Sequence, residues 1–137
     1  ALFEALGRAD AVSVHVARAP ETQDLCDRRF FDAMQPGAYF VNTSRGDLVD
    51  EEALAWAIRE KGIRAALDVY RGQPSEKDCE WRPALAELDG VYFSHHCGAS
   101  TEQAQEAVAS EVVRIVERHR QGGPPLHLVN GDSLVAR

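Results

Sequence analysis

Short apolar runs alternate with longer amphipathic stretches along this chain, and that alternation restricts its fold more than any single residue does. Ala11-Val-Ser-Val-His-Val16 reads as a strand, Tyr39 to Asn42 as a second, Ile63 to Val69 as a third and Val91-Tyr-Phe93 as a fourth. Asp27 is placed to cap a short helix carrying Phe30, Phe31 and Met34, which stops at Pro36-Gly37. Asp50 caps the next helix, with Glu51 and Glu52 in its positive first turn and Leu54 and Ile58 on one face. Gly62, directly after Lys61, closes it. Strands joined through helices run parallel, with right-handed crossovers. The expected class is α/β, with about four parallel strands and flanking helices. Parallel strands are expected to be buried on both faces and nearly all apolar, as the first and third largely are.

The remaining segments read as connections and one long helix. Arg71 to Glu80 is polar and contains Gly72 and Pro74, so it reads as a loop. Ser100 and Gln103 have capping-box spacing ahead of a stripe of Ala104, Val108, Val112, Ile115 and Val116, which is expected to be buried. Gly122-Gly-Pro-Pro125 ends that helix, and Leu126 to Asn130 reads as extended.

A length of 137 residues suggests one domain, expected over 1–130 with a tail at 131–137. The net charge of -7, from 22 acidic and 15 basic residues, argues against nucleic acid or an anionic membrane as partner. No apolar run approaches the ~18 residues of a membrane span. The start, Ala-Leu-Phe-Glu-Ala-Leu, lacks the pattern of a signal peptide and an initiator Met, so a longer gene product is one expected source. Cys26, Cys79 and Cys97 form no CxxC, and reduced thiols in a cytoplasmic protein are the simplest reading.

In a parallel sheet, ligands sit outside the carboxyl ends of the strands. Those ends carry Val16-Ala17, Thr43-Ser44-Arg45, Asp68 onward, and His95-His96. A guanidinium can hold a carboxylate by two parallel hydrogen bonds, and an imidazole can exchange a proton near neutral pH. Together they suit interconversion of an alcohol and a ketone beside an acid group, given a hydride carrier. Bland readings stand beside these. A lone arginine at a strand end is more often structural, Asp68 can simply cap the turn that follows it, and His15, His119 and His127 read as solvated or satisfied side chains. His95-His96-Cys97 is a poor metal site, since neighbours in an extended segment point to opposite faces; no metal is expected.

Asn42-Thr-Ser-Arg-Gly-Asp-Leu-Val-Asp-Glu51 resembles the arginine motif of the D-isomer-specific 2-hydroxyacid dehydrogenases. Ala65-Ala-Leu-Asp-Val-Tyr70 is similar to the family's next strand motif, and His96-Cys-Gly-Ala-Ser-Thr101 resembles its histidine motif. His15-Val16 and Ala19-Pro-Glu-Thr22 fit its earlier strand and loop. The resemblance runs from about Ala1 to Asn130, and it implies the second half of a Rossmann-type doubly wound domain that takes NAD or NADP. It also implies a small 2-hydroxy or 2-keto acid substrate. By this likeness Arg45 anchors the carboxylate, His96 is the acid–base group and Gln73 is its partner. Asp68 contacts the nicotinamide amide. Thr43, Ser44, Gly98 and Ala99, with Arg45 and His96, line the nicotinamide side, and Val16 and Ala17 form part of the adenosine-side wall.

The chain departs from the family at Gln73, where most members carry glutamate. An amide can orient the ring but supplies no charge to hold a proton on it. Formate dehydrogenases of the family use glutamine there, so a formate-dehydrogenase-like fragment is one alternative. Ala17 and His95 stand where proline is common. None of the ten glycines forms Gly-x-Gly-x-x-Gly, the pyrophosphate-binding turn, and the separate substrate domain is absent. A catalytically silent binding or assembly module is therefore a second alternative. Val12, Val14 and Val16 would lie on an uncovered edge, which points to a homo-oligomer or a complementary half-domain pairing along the first strand.

Overall fold

The computed structural model describes residues 1–74 and 80–129. The chain divides into two compact units, 1–98 and 99–137, and each is described by itself. In the first, four parallel strands stand in sequence order: β1 (Ala11–Val14), β2 (Tyr39–Asn42), β3 (Arg64–Leu67) and β4 (Val91–Phe93). The register runs straight across, so that Val14, Asn42, Leu67 and Phe93 lie abreast at the carboxyl end. Helix α1 (Leu2–Leu6) precedes β1, α2 (Arg28–Ala33) joins β1 to β2, and α3 (Glu51–Lys61) joins β2 to β3.

Right-handed crossovers between strands laid down in one direction return successive helices to the same face of the sheet. Burial follows that geometry. Along β2 the exposed Tyr39 is followed by buried Phe40, partly covered Val41 and buried Asn42; β3 repeats the pattern from Arg64 to Leu67. The strands are therefore not buried on both faces, as their apolar character suggested. A sheet with helices on one side only buries every second residue. Tyr92, on the other side, is 72% exposed.

The covered face is closed by aromatic packing and by caps that the sequence announces. Phe31 and Phe40, both fully buried, meet edge to face at 5.0 Å, and Phe30 joins them at 5.5 and 6.2 Å. Asp27 accepts the Phe30 amide at 2.8 Å, and Asp50 accepts the amides of Glu52 and Ala53 at 3.0 and 3.1 Å. Gly62 ends α3 at φ +65°, in the left-handed region. Lys61 reaches back to the end of α2 and donates to the carbonyls of Phe31 and Met34 at 3.1 and 2.6 Å, the first of which also accepts the Met34 amide.

Several boundaries move. β1 ends at Val14 rather than Val16, and β3 spans Arg64–Leu67, because the flanking residues leave the ladder to form the site loops. The second unit is built on helix α4 (Glu102–Arg120), whose cap is Thr101, not Ser100: the Thr101 hydroxyl accepts the Ala104 amide at 3.2 Å. Its stripe has the helical period, yet no residue of α4 is buried, and Val108, Val112 and Val116 are exposed. Periodicity specifies an apolar face, not the surface that covers it. The stretch 75–79, with Cys79, and the tail 130–137 lie outside the described residues.

One-sided packing predicts unequal costs for two aromatic truncations. Phe40→Ala should destabilise the chain by about 3–5 kcal/mol in urea unfolding. Tyr92→Ala should change it by no more than about 0.5 kcal/mol. Equal losses would contradict a sheet covered on one face.

Candidate active site at the strand ends

The loop after β2 is shaped by one buried amide. Asn42, 1% exposed, donates through Nδ2 to the Arg45 carbonyl at 2.9 Å and accepts the Ser44 amide at 3.0 Å. The Ser44 hydroxyl in turn donates to the Val16 carbonyl at 2.6 Å, fastening the end of β2 to the segment after β1. That segment is held by Thr22, whose hydroxyl donates to the Ala17 carbonyl and accepts the Ala19 amide, both at 2.8 Å. Arg45 itself is exposed, and its Nη1 folds onto the Ser44 carbonyl at 2.7 Å.

Gly46 is where two strand ends meet. A Cβ at this position would sit 2.0 Å from the carbonyl carbon of Tyr70, so only a hydrogen fits between the loops after β2 and β3. This approach brings Arg45 beside the segment that carries Gln73. Arg71, next to the contact, pairs with Asp24 and donates to the Val49 carbonyl at 2.9 Å, while its amide donates to Glu51 at 3.0 Å. The loops after the first three strands are thus tied to one another.

The ends of β3 and β4 are joined through Asp68 and Tyr70, both buried. The Asp68 carboxylate accepts the Ser94 hydroxyl at 2.5 Å and the amides of Cys97 and Gly98, each at 2.9 Å. Burial alone pushes its pKa up, but these donors outweigh burial and hold it below the ordinary carboxylate value. The Tyr70 hydroxyl lies 2.7 Å from the Leu67 carbonyl and 2.5 Å from that of Ser94. His96 sits between the anchored residues at φ +52°, a left-handed conformation uncommon outside glycine.

Arg45, Gln73 and His96 line a single pocket of about 360 Å³, open to solvent, together with Arg18, Gly46, Asp47, Val69, Tyr70, Gly72 and Pro74. Gln73 Nε2 lies 3.4 Å from His96 Nδ1. An amide can serve this ring in either role: its N–H can donate to Nδ1 of the Nε2–H tautomer, and its carbonyl, turned over, can accept from Nδ1–H of imidazolium and of the neutral ring whose Nε2 is free. Thr43, Ser44, Val16 and Ala17 are outside this pocket's lining and occupy the neighbouring ends of β1 and β2. Ala99 belongs to the second unit. Arg18, whose Nε pairs with Asp47 at 2.8 Å, is a second guanidinium on the pocket that no strand-end argument selects. Among the described residues, no group of three or more His, Cys, Asp or Glu is arranged to hold a metal.

Residues 1–98 match the family model described as D-isomer specific 2-hydroxyacid dehydrogenase, NAD binding domain. The chain is 34% identical to D-3-phosphoglycerate dehydrogenase of Escherichia coli K12 over 94% of its own length, which is 32% of that relative. It superposes on D-mandelate dehydrogenase of Rhodotorula graminis with a TM-score of 0.81 and 31% identity, over 92% of this chain and 36% of that one. An NAD-complexed D-isomer specific 2-hydroxyacid dehydrogenase of Lactobacillus delbrueckii gives 0.83 and 27%, over 93% and 42%. The chain thus spans about a third of the length of the curated relative.

The close approach at Gly46 predicts that Gly46→Ala forces the Arg45 loop away from Tyr70. Urea unfolding should show a loss of about 2 kcal/mol or more, from overpacking against backbone that has no rotamer to yield. A neutral substitution would mean that the two loops are not in contact.

Proposed function

The chain belongs to the D-isomer specific 2-hydroxyacid dehydrogenases, and from that premise we propose that its pocket holds a 2-keto or 2-hydroxy acid for nicotinamide-dependent reduction or oxidation at the adjacent carbon. The observation that carries this reading is that Arg45, Gln73 and His96, from the ends of three different strands, line one pocket. Arg45 takes the carboxylate in a bidentate contact and fixes which face of the carbonyl is presented. His96 delivers a proton to the carbonyl oxygen during reduction, or removes it from the hydroxyl during oxidation. Gln73 keeps the ring in register through Nδ1 in both states.

The cofactor supplies the hydride. The residues present suit its nicotinamide end, where Thr43 is exposed beside Ser44, and part of its adenosine-side wall, where Val16 and Ala17 stand exposed at the next strand end. No glycine-rich turn for a pyrophosphate occurs in the sequence, so that part of the cofactor needs a surface these residues do not offer. The chain is in this respect the second half of a binding domain. Choice between NAD and NADP rests on residues beyond this half.

Two further readings keep a specific support. Gln73 beside His96 is compatible with formate as hydride donor, a reaction in which no substrate proton moves. The open sheet face and the absent glycine turn are compatible with an assembly module without turnover. Calorimetry with NADH separates these first. Weak but saturable binding, strengthened by a polypeptide carrying a family glycine-rich half, supports the dehydrogenase reading. No binding at millimolar cofactor with that half present supports the silent module. Turnover of glyoxylate, hydroxypyruvate or formate by the reconstituted pair then identifies the substrate class. Arg45→Gln should lower kcat/KM for the keto acids by about 10²–10³, the loss of a bidentate charge-assisted contact. An unchanged kcat/KM would remove Arg45 from the site.

We also propose that the β1 edge is covered by a second copy or by the complementary half-domain. β1 is the terminal strand of the sheet among the described residues, with Val12 and Val16 incompletely covered, whereas Val14, expected on the uncovered edge, is buried in the core. Unpaired strand edges favour such pairing. Light scattering should give a mass above that of one chain, and a monodisperse monomer at working concentration would contradict self-association.

A further inference from the structure

We propose that Asp68 is the positioning residue for His96: its carboxylate holds the turn after β4 in the left-handed conformation that directs the imidazole into the pocket, with or without a cofactor. Family likeness implies that Asp68 serves by contacting the nicotinamide amide. The geometry gives it an earlier task. A carboxylate has about four acceptor positions. Oδ1 takes the Ser94 hydroxyl at 2.5 Å and the Cys97 amide at 2.9 Å, with the Cys97 thiol at 3.7 Å; Oδ2 takes the Gly98 amide at 2.9 Å. At most one good position, on Oδ2, is left for any ligand.

These donors bracket His96 in the chain. Ser94 lies two residues before it, and Cys97 and Gly98 are the two residues after it. A non-glycine residue stays at φ +52° only where its surroundings over-determine the conformation. Here they do so from both sides, because two successive amides converge on one fixed anion. The anion is fixed in its turn. The Asp68 amide donates to the Asn42 carbonyl at 3.0 Å, extending the β3 pairing by one residue. The Ser94 amide donates to the Leu67 carbonyl at 3.0 Å, and the Tyr70 hydroxyl approaches the Ser94 carbonyl. Without the carboxylate, the turn keeps its Ser94 end and loses both amide anchors beyond His96.

Because it takes His96 as the acid–base group, this inference rests on the reading above. The clamp itself is tested in the cofactor-free chain, where the fate of that reading does not enter. Asp68→Asn keeps the shape and sets an amide group against two amide donors. Hydrogen exchange followed by NMR should then show the Cys97 and Gly98 amides exchanging at least about tenfold faster, as a lost charge-assisted hydrogen bond requires. The His96 ring should lose its NOE contact with Gln73, while the amides of Phe40 and Ala65 in the sheet keep their protection. Unchanged exchange at Cys97 and Gly98 in a folded variant overturns the proposal, and a fall in NADH affinity alone would leave only the cofactor contact.

If the variant does not fold, acid titration of the unmutated chain decides. The bonds to Asp68 lower its pKa, so they are complete above the ordinary value of 3.8 and are lost as pH falls through the lower folded value. The Cys97 and Gly98 amide shifts and the His96 ring shifts should then follow the Asp68 carboxyl carbon with a common midpoint. Midpoints that differ would overturn the clamp.

Discussion

Each strand of the sheet lies beside the one that precedes it in the chain, and every crossover returns on the same side. From this the rest follows. The helices gather on one face, where Phe30, Phe31 and Phe40 close the core. The carboxyl ends of β1 to β4 come out in a row, in chain order. Any side chain that follows a strand is then a neighbour of the side chains that follow the next. Arg45, Gln73 and His96 meet in one pocket for that reason, although 51 positions separate the first from the last. The same constraint leaves β1 as an edge and Tyr39, Arg64 and Tyr92 exposed on the face that α1 to α3 do not cover.

Topology alone brings the loops to one edge; it does not fix them. Three short polar devices do. Asn42 folds the arginine loop onto its own side chain, the missing Cβ of Gly46 lets that loop touch the Tyr70 backbone, and Asp68 binds the histidine turn. Asn42 and Asp68 stand at or directly beyond the last paired residue of a strand, and Gly46 lies four residues beyond the end of β2. There the backbone has left the ladder, and its amides and carbonyls take side-chain partners that the sheet no longer supplies. The side chains that satisfy them also aim the exposed Arg45 and His96. Stability and site geometry share those bonds.

The strands and the α2 and α3 caps were legible because their signals are local: Asp27, Asp50 and Gly62 act within five residues of where they stand. β2 and β4 were read to the residue, whereas β1 and β3 were read too long because the apolar run continues past the point where pairing stops. The strand-end rule already singled out Arg45, the segment after Asp68 and His96; likeness added the pairing of Gln73 with His96, which no local pattern reports. Arg18 gave no signal of either kind, its place being set by an ion pair across loops. The α4 stripe shows the opposite limit. Its period was right, but coverage depends on surfaces that periodicity does not describe. Asp68 does not cap the turn that follows it, the bland reading; it accepts from Ser94, Cys97 and Gly98 in the turn after β4, which carries His96.

The chain belongs to a family whose matching region is an NAD binding domain, and its strand-end residues Arg45, Gln73 and His96 line one pocket. The central claim is that this pocket binds a 2-keto acid between Arg45 and His96. A crystal structure with a nicotinamide cofactor and oxamate, a non-reacting keto-acid mimic, tests it most directly. The account predicts two parallel contacts from the Arg45 guanidinium to the oxamate carboxylate, and an oxamate carbonyl oxygen about 3 Å from His96 Nε2. Oxamate bound elsewhere, or held with Arg45 still folded onto the Ser44 carbonyl, would contradict it.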